Sequence, residues 1–240
     1  MQDRAVTSDT SDTGRVREAV RNNAEWCAAL CRAHGIAGET GPYAWTSPRR
    51  TPLYYPDAVT LTPEASPRDI VGRIDLANPG ASVKDSFASL DLTGDGFEVL
   101  FEAEWIHRPA PRATGQGWQL VRTEGELAEW ERAWSDGDSE MLFPPGLLAE
   151  SAHTFLAERD GEGKVVAGAV AGRSGQVVGI SNLYAVDGDQ GAAWAGCLAT
   201  VARLWPGLAV VGYESGDDLA AALRAGFTTT GPLSVWLHQG

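Results

Sequence analysis

The chain has 240 residues, 43% of them hydrophobic and 21% charged, which fits a globular protein with a core of its own. No apolar run approaches the ~20 residues of a membrane span, and the Asp/Thr-rich start is no signal peptide, so a cytoplasmic protein without membrane contact is expected. The net charge of -13 repels nucleic acid unless basic residues cluster locally, and mildly favours an amine-bearing partner.

Residues 1–14 are polar and read as a disordered tail. Arg15 to Ala33 reads as a helix ending at His34-Gly35. On it, Cys27, Cys31 and His34 share one face by their i, i+4, i+7 spacing. A metal there would need a fourth ligand. The expectation is therefore a buried stripe with Trp26 and Leu30, and no metal. The low, odd number of cysteines, 3, argues against a disulfide framework.

Residues 36–58 carry prolines, glycines and aromatics (GPYAWTSPRRTPLYYPD) and read as an irregular segment wrapped on a surface. Arg49 and Arg50 stand there beside Trp45, Tyr54 and Tyr55. Basic residues among aromatics can hold a phosphate or a nucleobase, but a Pro-rich wrapping segment gives the same letters. With Arg15, Arg17 and Arg21, this is the one place where so acidic a chain could meet RNA.

AVTLTP then reads as a strand, SPRDIVGRID as a short helix, SVKDSFASLDL as a strand, TGDG as a tight turn and FEVLFEAEWIHR as a strand. Lys84 and Asp85 fall on opposite faces of the second strand. They could bind a substrate carboxylate or amine, or guard an exposed edge against aggregation.

A linker, PAPRATGQG, centred on residues 111–116, separates residues 15–110 from residues 117–240. The order strand–helix–strand–turn–strand then returns in WQLVR, TEGELAEWERAW, HTFLAERD, GEG and KVVAGAVAGR, as an internal repeat. The second copy continues with the strand VVGISNLYAV, the helix GAAWAGCLATVARLW, a break at Pro206-Gly207 and the strand LAVVGYE. A helix capped by Ser215 and closed by Gly226 follows, and then a last strand, GPLSVWLH.

This C-terminal order resembles that of the GNAT superfamily of acyltransferases. The resemblance covers about residues 117–240 and rests on SNLYAV leading into DQGAAWAG and on LAAALRAGFTTTGPLSVWL. It implies an α/β (α+β) fold with a central mixed, mostly antiparallel sheet flanked by helices. The chain would be tandem GNAT-like, with an incomplete N-terminal half and a complete acyltransferase domain. In the family the loop after the fourth strand holds the pyrophosphate of acyl-CoA on its N–H groups. The matching letters are Gln190, Gly191, Ala192, Ala193, Trp194 and Ala195. Ala193 replaces the expected glycine, whose bare backbone allows the closest approach to phosphate, and Trp194 adds bulk. No Lys or Arg lies from Asp187 to Thr200, while Asp187 and Asp189 add negative charge. The cradle is therefore expected to be weakened. The tyrosine that many relatives use as general acid stands here as Ala222, and their helix-start asparagine as Ser215.

Direct transfer to an amine needs a polarised acyl carbonyl, a deprotonated amine and their juxtaposition. By the resemblance, polarisation comes from backbone N–H groups around Leu183, Tyr184, Ala185 and Val186. Candidate bases are Glu214, at a strand end, and Glu104 or His107, at the exit of the N-terminal half's last strand; candidate acids are Tyr184 and Tyr213. Both tyrosines also fit a core, and His107 beside Arg108 also fits a surface. Three functions stay open. The first is an N-acyltransferase that uses acetyl-CoA or another acyl-CoA on a small-molecule amine, as a monomer or homodimer. The second is an amide-forming transferase fed by aminoacyl-tRNA, met through the N-terminal half. The third is a non-catalytic GNAT-like binding or assembly protein.

Overall fold

A computed structural model of the chain describes residues 3–137 and 141–240, with side chains from residue 12 onward. It contains helices α1 (Asp3–Ala33), α2 (Glu124–Trp134), α3 (Gln190–Leu204) and α4 (Gly216–Arg224). The strands are β1 (Glu39–Thr40), β2 (Ala44–Thr46), β3 (Ala58–Thr60), β4 (Ser82–Asp85), β5 (Phe97–Arg108), β6 (Gln119–Leu120), β7 (His153–Arg159), β8 (Val165–Ser174), β9 (Val177–Ala185), β10 (Ala209–Glu214) and β11 (Thr228–His238). The result is a mixed α/β fold whose strand pairs are mostly antiparallel. Two compact units form: Met1–Trp105 with Thr230–Gly240, and Ile106–Thr229. The last eleven residues thus group with the N-terminal unit rather than with the segment that precedes them.

In the first unit the strands run in the order β1-β2-β3-β4-β11-β5. The pair β3–β4 is parallel, and β1–β2, β2–β3 and β4–β11 are antiparallel. α1 buries Val16, Ala19, Val20, Trp26, Cys27, Leu30 and Cys31, the stripe that its helical spacing predicts. The helix begins at Asp3 rather than Arg15. Residues 3–14 hold no proline, so a nucleated helix can propagate backward through them. Met1 and Gln2, also part of the expected tail, lie outside the described residues.

β4 is shorter than expected and ends at Asp85. The Asp85 carboxylate accepts from the backbone N–H of Phe87 (3.2 Å) and Leu90 (2.7 Å), and Ala88 takes φ 47°. An aspartate that bonds its own downstream backbone turns the chain out of the ladder. The SPRDIVGRID segment forms two 3₁₀ turns, Pro67–Asp69 and Val71–Arg73, instead of one helix. Gly72 weakens any longer helix there.

In the second unit the order is β5-β10-β9-β8-β7-β6. The neighbour of β10 is thus the end of β5, from the N-terminal half. β6 to β9 form an antiparallel meander, and β9 and β10 pair in parallel around the crossover helix α3. The repeated element order therefore does not extend to pairing: β3–β4 is parallel and β6–β7 antiparallel. α2 opens on a capping box between Thr123 and Glu126. Its Trp130 is fully buried and donates from Nε1 to the Leu156 carbonyl (2.8 Å). Phe143, Phe155 and Tyr184 meet that ring edge-on at 5.0–5.3 Å. α3 buries Ala193, Trp194, Cys197, Leu198 and Val201 against a core that includes Ala221, Ala222 and Phe227.

Trp130 is among the largest fully buried side chains of this unit. Trp130→Ala should lower the unfolding free energy by about 3–5 kcal/mol, read from the denaturant midpoint at unchanged slope.

Candidate functional site

The parallel pair β9–β10 is short. It runs from Ala209–Val177 through Val210–Val178 to Val211–Gly179, and then the described pairing ends. At Gly212 the two strands still run close, since a Cβ there would lie 3.1 Å from the Ile180 carbonyl oxygen. Beyond it β9 carries a bulge. Val170 faces Ser181 and Gly168 faces Tyr184, so Asn182 and Leu183 together oppose Ala169. Asn182 adopts φ 54°, a conformation that asparagine tolerates better than most residues. Two neighbouring strands that part at a bulge leave a slot bordered by backbone groups.

Glu214 ends β10 beside this slot and is only partly exposed. Burial, and secondarily the nearby Asp218 carboxylate, push its carboxyl up to about 8. A carboxylate of that basicity can take up a proton near neutrality. Ser215 occupies the N-cap of α4 but makes no side-chain cap bond, unlike its expected role. Tyr213 is partly exposed and precedes Glu214, so it points to the opposite face of β10.

The loop between β9 and α3 is closed on itself. Asp189 caps α3, with Oδ1 accepting from the Ala192 N–H at 2.9 Å, and Asp187 Oδ1 accepts from the Asp189 N–H at 3.0 Å. The Gln190 and Ala193 N–H groups donate to the Gly188 and Asp189 carbonyls. Gly191, Ala192 and Ala195 are exposed. Ala193 and Trp194 are each 1% exposed, and Trp194 packs on Phe227 at 4.7 Å. The alanine and tryptophan thus face the core and do not crowd the loop. The chain's own carboxylates fill it.

Other expected residues are placed differently. Tyr184 is buried, its hydroxyl donates to the Trp130 carbonyl at 3.0 Å, and burial raises its pKa. It is a core tyrosine and not an acid facing the slot. The Val186 N–H donates to the Val166 carbonyl (2.8 Å) and is spent, while Leu183 and Ala185 pack partly on the core. His107 is buried rather than on the surface, and its carbonyl accepts from Thr228 Oγ1. Ala222 is fully buried.

Glu104, Lys84, Asp85, Arg49 and Arg50 belong to the first unit. β4 lies between β3 and β11 and is no exposed edge: Lys84 is 4% and Asp85 0% exposed. Lys84 Nζ donates to Asn23 Oδ1 (2.8 Å), and Asp85 holds its turn. Both are structural members of a buried polar network. Arg50 pairs with the buried Asp57 and donates to the Gly80 carbonyl. Trp45 and Tyr55 are buried. Arg49 reaches the Gly35 carbonyl at 3.5 Å. Of the expected group, Arg49 and Tyr54 are exposed, while Trp45 and Tyr55 belong to the core. Cys27 and Cys31 are buried, with burial raising both thiols, Cys31 to about 12. Among the described residues no His/Cys/Asp/Glu cluster fits a metal ion, and no helix is long and apolar enough to cross a membrane.

One group escaped sequence reasoning. Arg108, Arg112 and Arg224 line a single groove against α3 and α4. They come from a strand end, a linker and a helix end, so no local spacing announces them.

No family model matches the sequence, and no curated protein matches it. Solved structures do resemble it. A GCN5-related N-acetyltransferase from Kribbella flavida is 13% identical, with 92% of this chain and 96% of that one covered at a TM-score of 0.58. A protein described as a GNAT-family acetyltransferase, from Novosphingobium aromaticivorans, is 12% identical with 94% and 99% covered at 0.56. A functionally unknown conserved protein from Staphylococcus epidermidis is 12% identical with 68% and 73% covered at 0.51. The chain has the GNAT fold. The likeness extends beyond residues 117–240, over most of the chain.

The raised Glu214 has a consequence for stability. The folded protein keeps a proton that the unfolded chain releases above its ordinary value of 4.5. Stability should therefore fall as pH rises from about 4.5 to about 8, and level off above. The difference in unfolding free energy between Glu214→Gln and the native chain should grow across that window in favour of the variant, measured by urea unfolding at several pH values.

Proposed function

We propose that this chain is a GNAT-type N-acyltransferase that moves an acyl group from acyl-CoA, with acetyl-CoA as the simplest donor, to the amine of a small molecule. The observation that carries this reading is the slot where β9 and β10 part, with Glu214 at its edge. A linear thioester arm at this place is supported by the bulge at Asn182–Leu183 and the end of pairing after Val211, which leave strand backbone free of the β9–β10 ladder. The loop at the start of α3 fits a pyrophosphate poorly, because Asp189 already satisfies its amide.

Bound acyl-CoA would supply an activated acyl thioester, whose thiolate is a good leaving group near neutrality because a thiol pKa is about 8.5. This tolerates Ala222 at the position where relatives carry an acid. Glu214 takes the proton from the amine nitrogen as the amine attacks. Its raised pKa narrows the gap to an amine and makes the transfer less uphill than to an ordinary carboxylate. The carboxylate of Asp218 favours a cationic amine at this edge. The chain's net charge of -13 points the same way.

The test is release of free CoA from acetyl-CoA across a panel of primary amines, with products identified by mass. Turnover should rise with pH to a plateau above about 8, following Glu214. Glu214→Gln should lower kcat by about 10²–10⁴-fold and lose that limb. Absence of turnover with every amine, together with no acetyl-CoA binding at millimolar concentration, would overturn the reading.

A further inference from the structure

We infer that the free edge of β5 over residues 98–102 docks an extended peptide of another protein, whose pattern is basic–apolar–apolar–apolar–basic. The stretch FEVLFEAEW, residues 97–105, sets the apolar trio Val99, Leu100 and Phe101 between Glu98 and Glu102. Strand alternation places Glu98, Leu100 and Glu102 on one face and Val99 and Phe101 on the other. In a half-buried strand one of those faces meets a core. Here neither does: all five residues are exposed, Val99 at 44%, Leu100 at 55% and Phe101 at 38%. Phe97 before them and Ala103 and Trp105 after them are buried, so the exposed window lies in a strand fixed at both ends.

One edge of the window is taken. The Gln239 N–H donates to the Gly96 carbonyl at 3.1 Å, and Thr230 Oγ1 donates to the Trp105 carbonyl at 3.3 Å, so β11 runs along it. The other edge is open. β5 has 12 residues, and β10, its neighbour on that side, has 6. Gly212, the fourth residue of β10, lies against Ile106: a Cβ there would be 3.8 Å from Ile106 Cγ1. A strand of that length placed there, in either direction, reaches no further back than Ala103. Residues 98–102 therefore present backbone N–H and C=O groups to no other strand on that side, among the described residues. Such a row is a template for strand addition.

Charge selects the occupant. Natural edges are blunted by lysine or proline, and residues 97–105 contain neither. They carry Glu98 and Glu102 instead, and neither has an ion-pair partner among the described residues. A second copy of this chain is a poor fit. The antiparallel register that matches the apolar trio with itself sets Glu98 against Glu102 of the other copy, and like charges directly opposite destabilise a pair. The net charge of -13 on each chain adds to that repulsion. A peptide with cations opposite Glu98 and Glu102 and three apolar residues between them satisfies both faces at once. The pattern reads the same in both directions, so it fits parallel or antiparallel addition. Because β5 is already ordered, only the peptide loses freedom on docking.

The probe is the synthetic peptide acetyl-TKVLVKT-amide, titrated into the full chain with amide shifts resolved by residue, against the control acetyl-TEVLVET-amide. The lysine peptide should bind about tenfold more tightly than the control, move the amides of residues 98–102 most, and weaken with added salt. The double variant Glu98→Lys/Glu102→Lys should reverse the preference between the two peptides. Both side chains are exposed, and an unchanged melting curve would verify folding. No binding of the lysine peptide at millimolar concentration, equal binding of both peptides, or an unchanged preference in the double variant would overturn the inference. A native chain that sediments as a dimer and becomes a monomer with Leu100→Lys would give the edge to a second copy and overturn it as well. None of these outcomes depends on acyl transfer.

Discussion

The pairing of β9 with β10 ends after three residue pairs, and the candidate chemistry depends on that ending. A longer ladder would consume the backbone groups that border the slot. Two local features accompany that ending. On β9, the extra residue at Asn182–Leu183 shifts the register against β8. On β10, Gly212 passes the Ile180 carbonyl at a distance that leaves little room for a side chain. The strands are anchored behind this point by the core of Val178, Val210, Cys197 and Val201. Glu214 inherits its raised pKa from the same arrangement, since it sits where the strand leaves the ladder but has not reached open solvent.

Electrostatics divides the second unit into two regions of opposite sign. Asp187, Asp189 and Asp218 surround the strand ends and helix starts, where they cap amides or raise Glu214. Arg108, Arg112 and Arg224 collect in the groove along α3 and α4.

Much of the fold is legible in the letters. The TEGE start of α2 is a capping box, and Pro206-Gly207 breaks the chain after α3. Three things are not legible, each for a physical reason. SVKDSFASLDL alternates like a strand, but Asp85 bonds its own downstream amides and ends it. Lys84 carries the charge of a surface residue, yet a partner 61 positions away, Asn23, makes its burial tolerable. The crowding of the loop by Ala193 is a sound argument about φ and bulk applied to the wrong direction, because the helix phase turns that Cβ inward. Of the site, Glu214 could be singled out by its place at a strand end. Its pKa could not, because that depends on burial and on Asp218 across a turn. The arginine groove needs three distant segments to meet, and only the folded chain shows that they do.

The end of the β9–β10 ladder is the proposed seat of the acyl donor, and amide hydrogen exchange, resolved by residue with and without acetyl-CoA, would report on it. Slowed exchange is expected at residues 181–185 and 212–215, with the β7–β8 ladder unchanged. Exchange in those two segments that stays the same at saturating acetyl-CoA would contradict it.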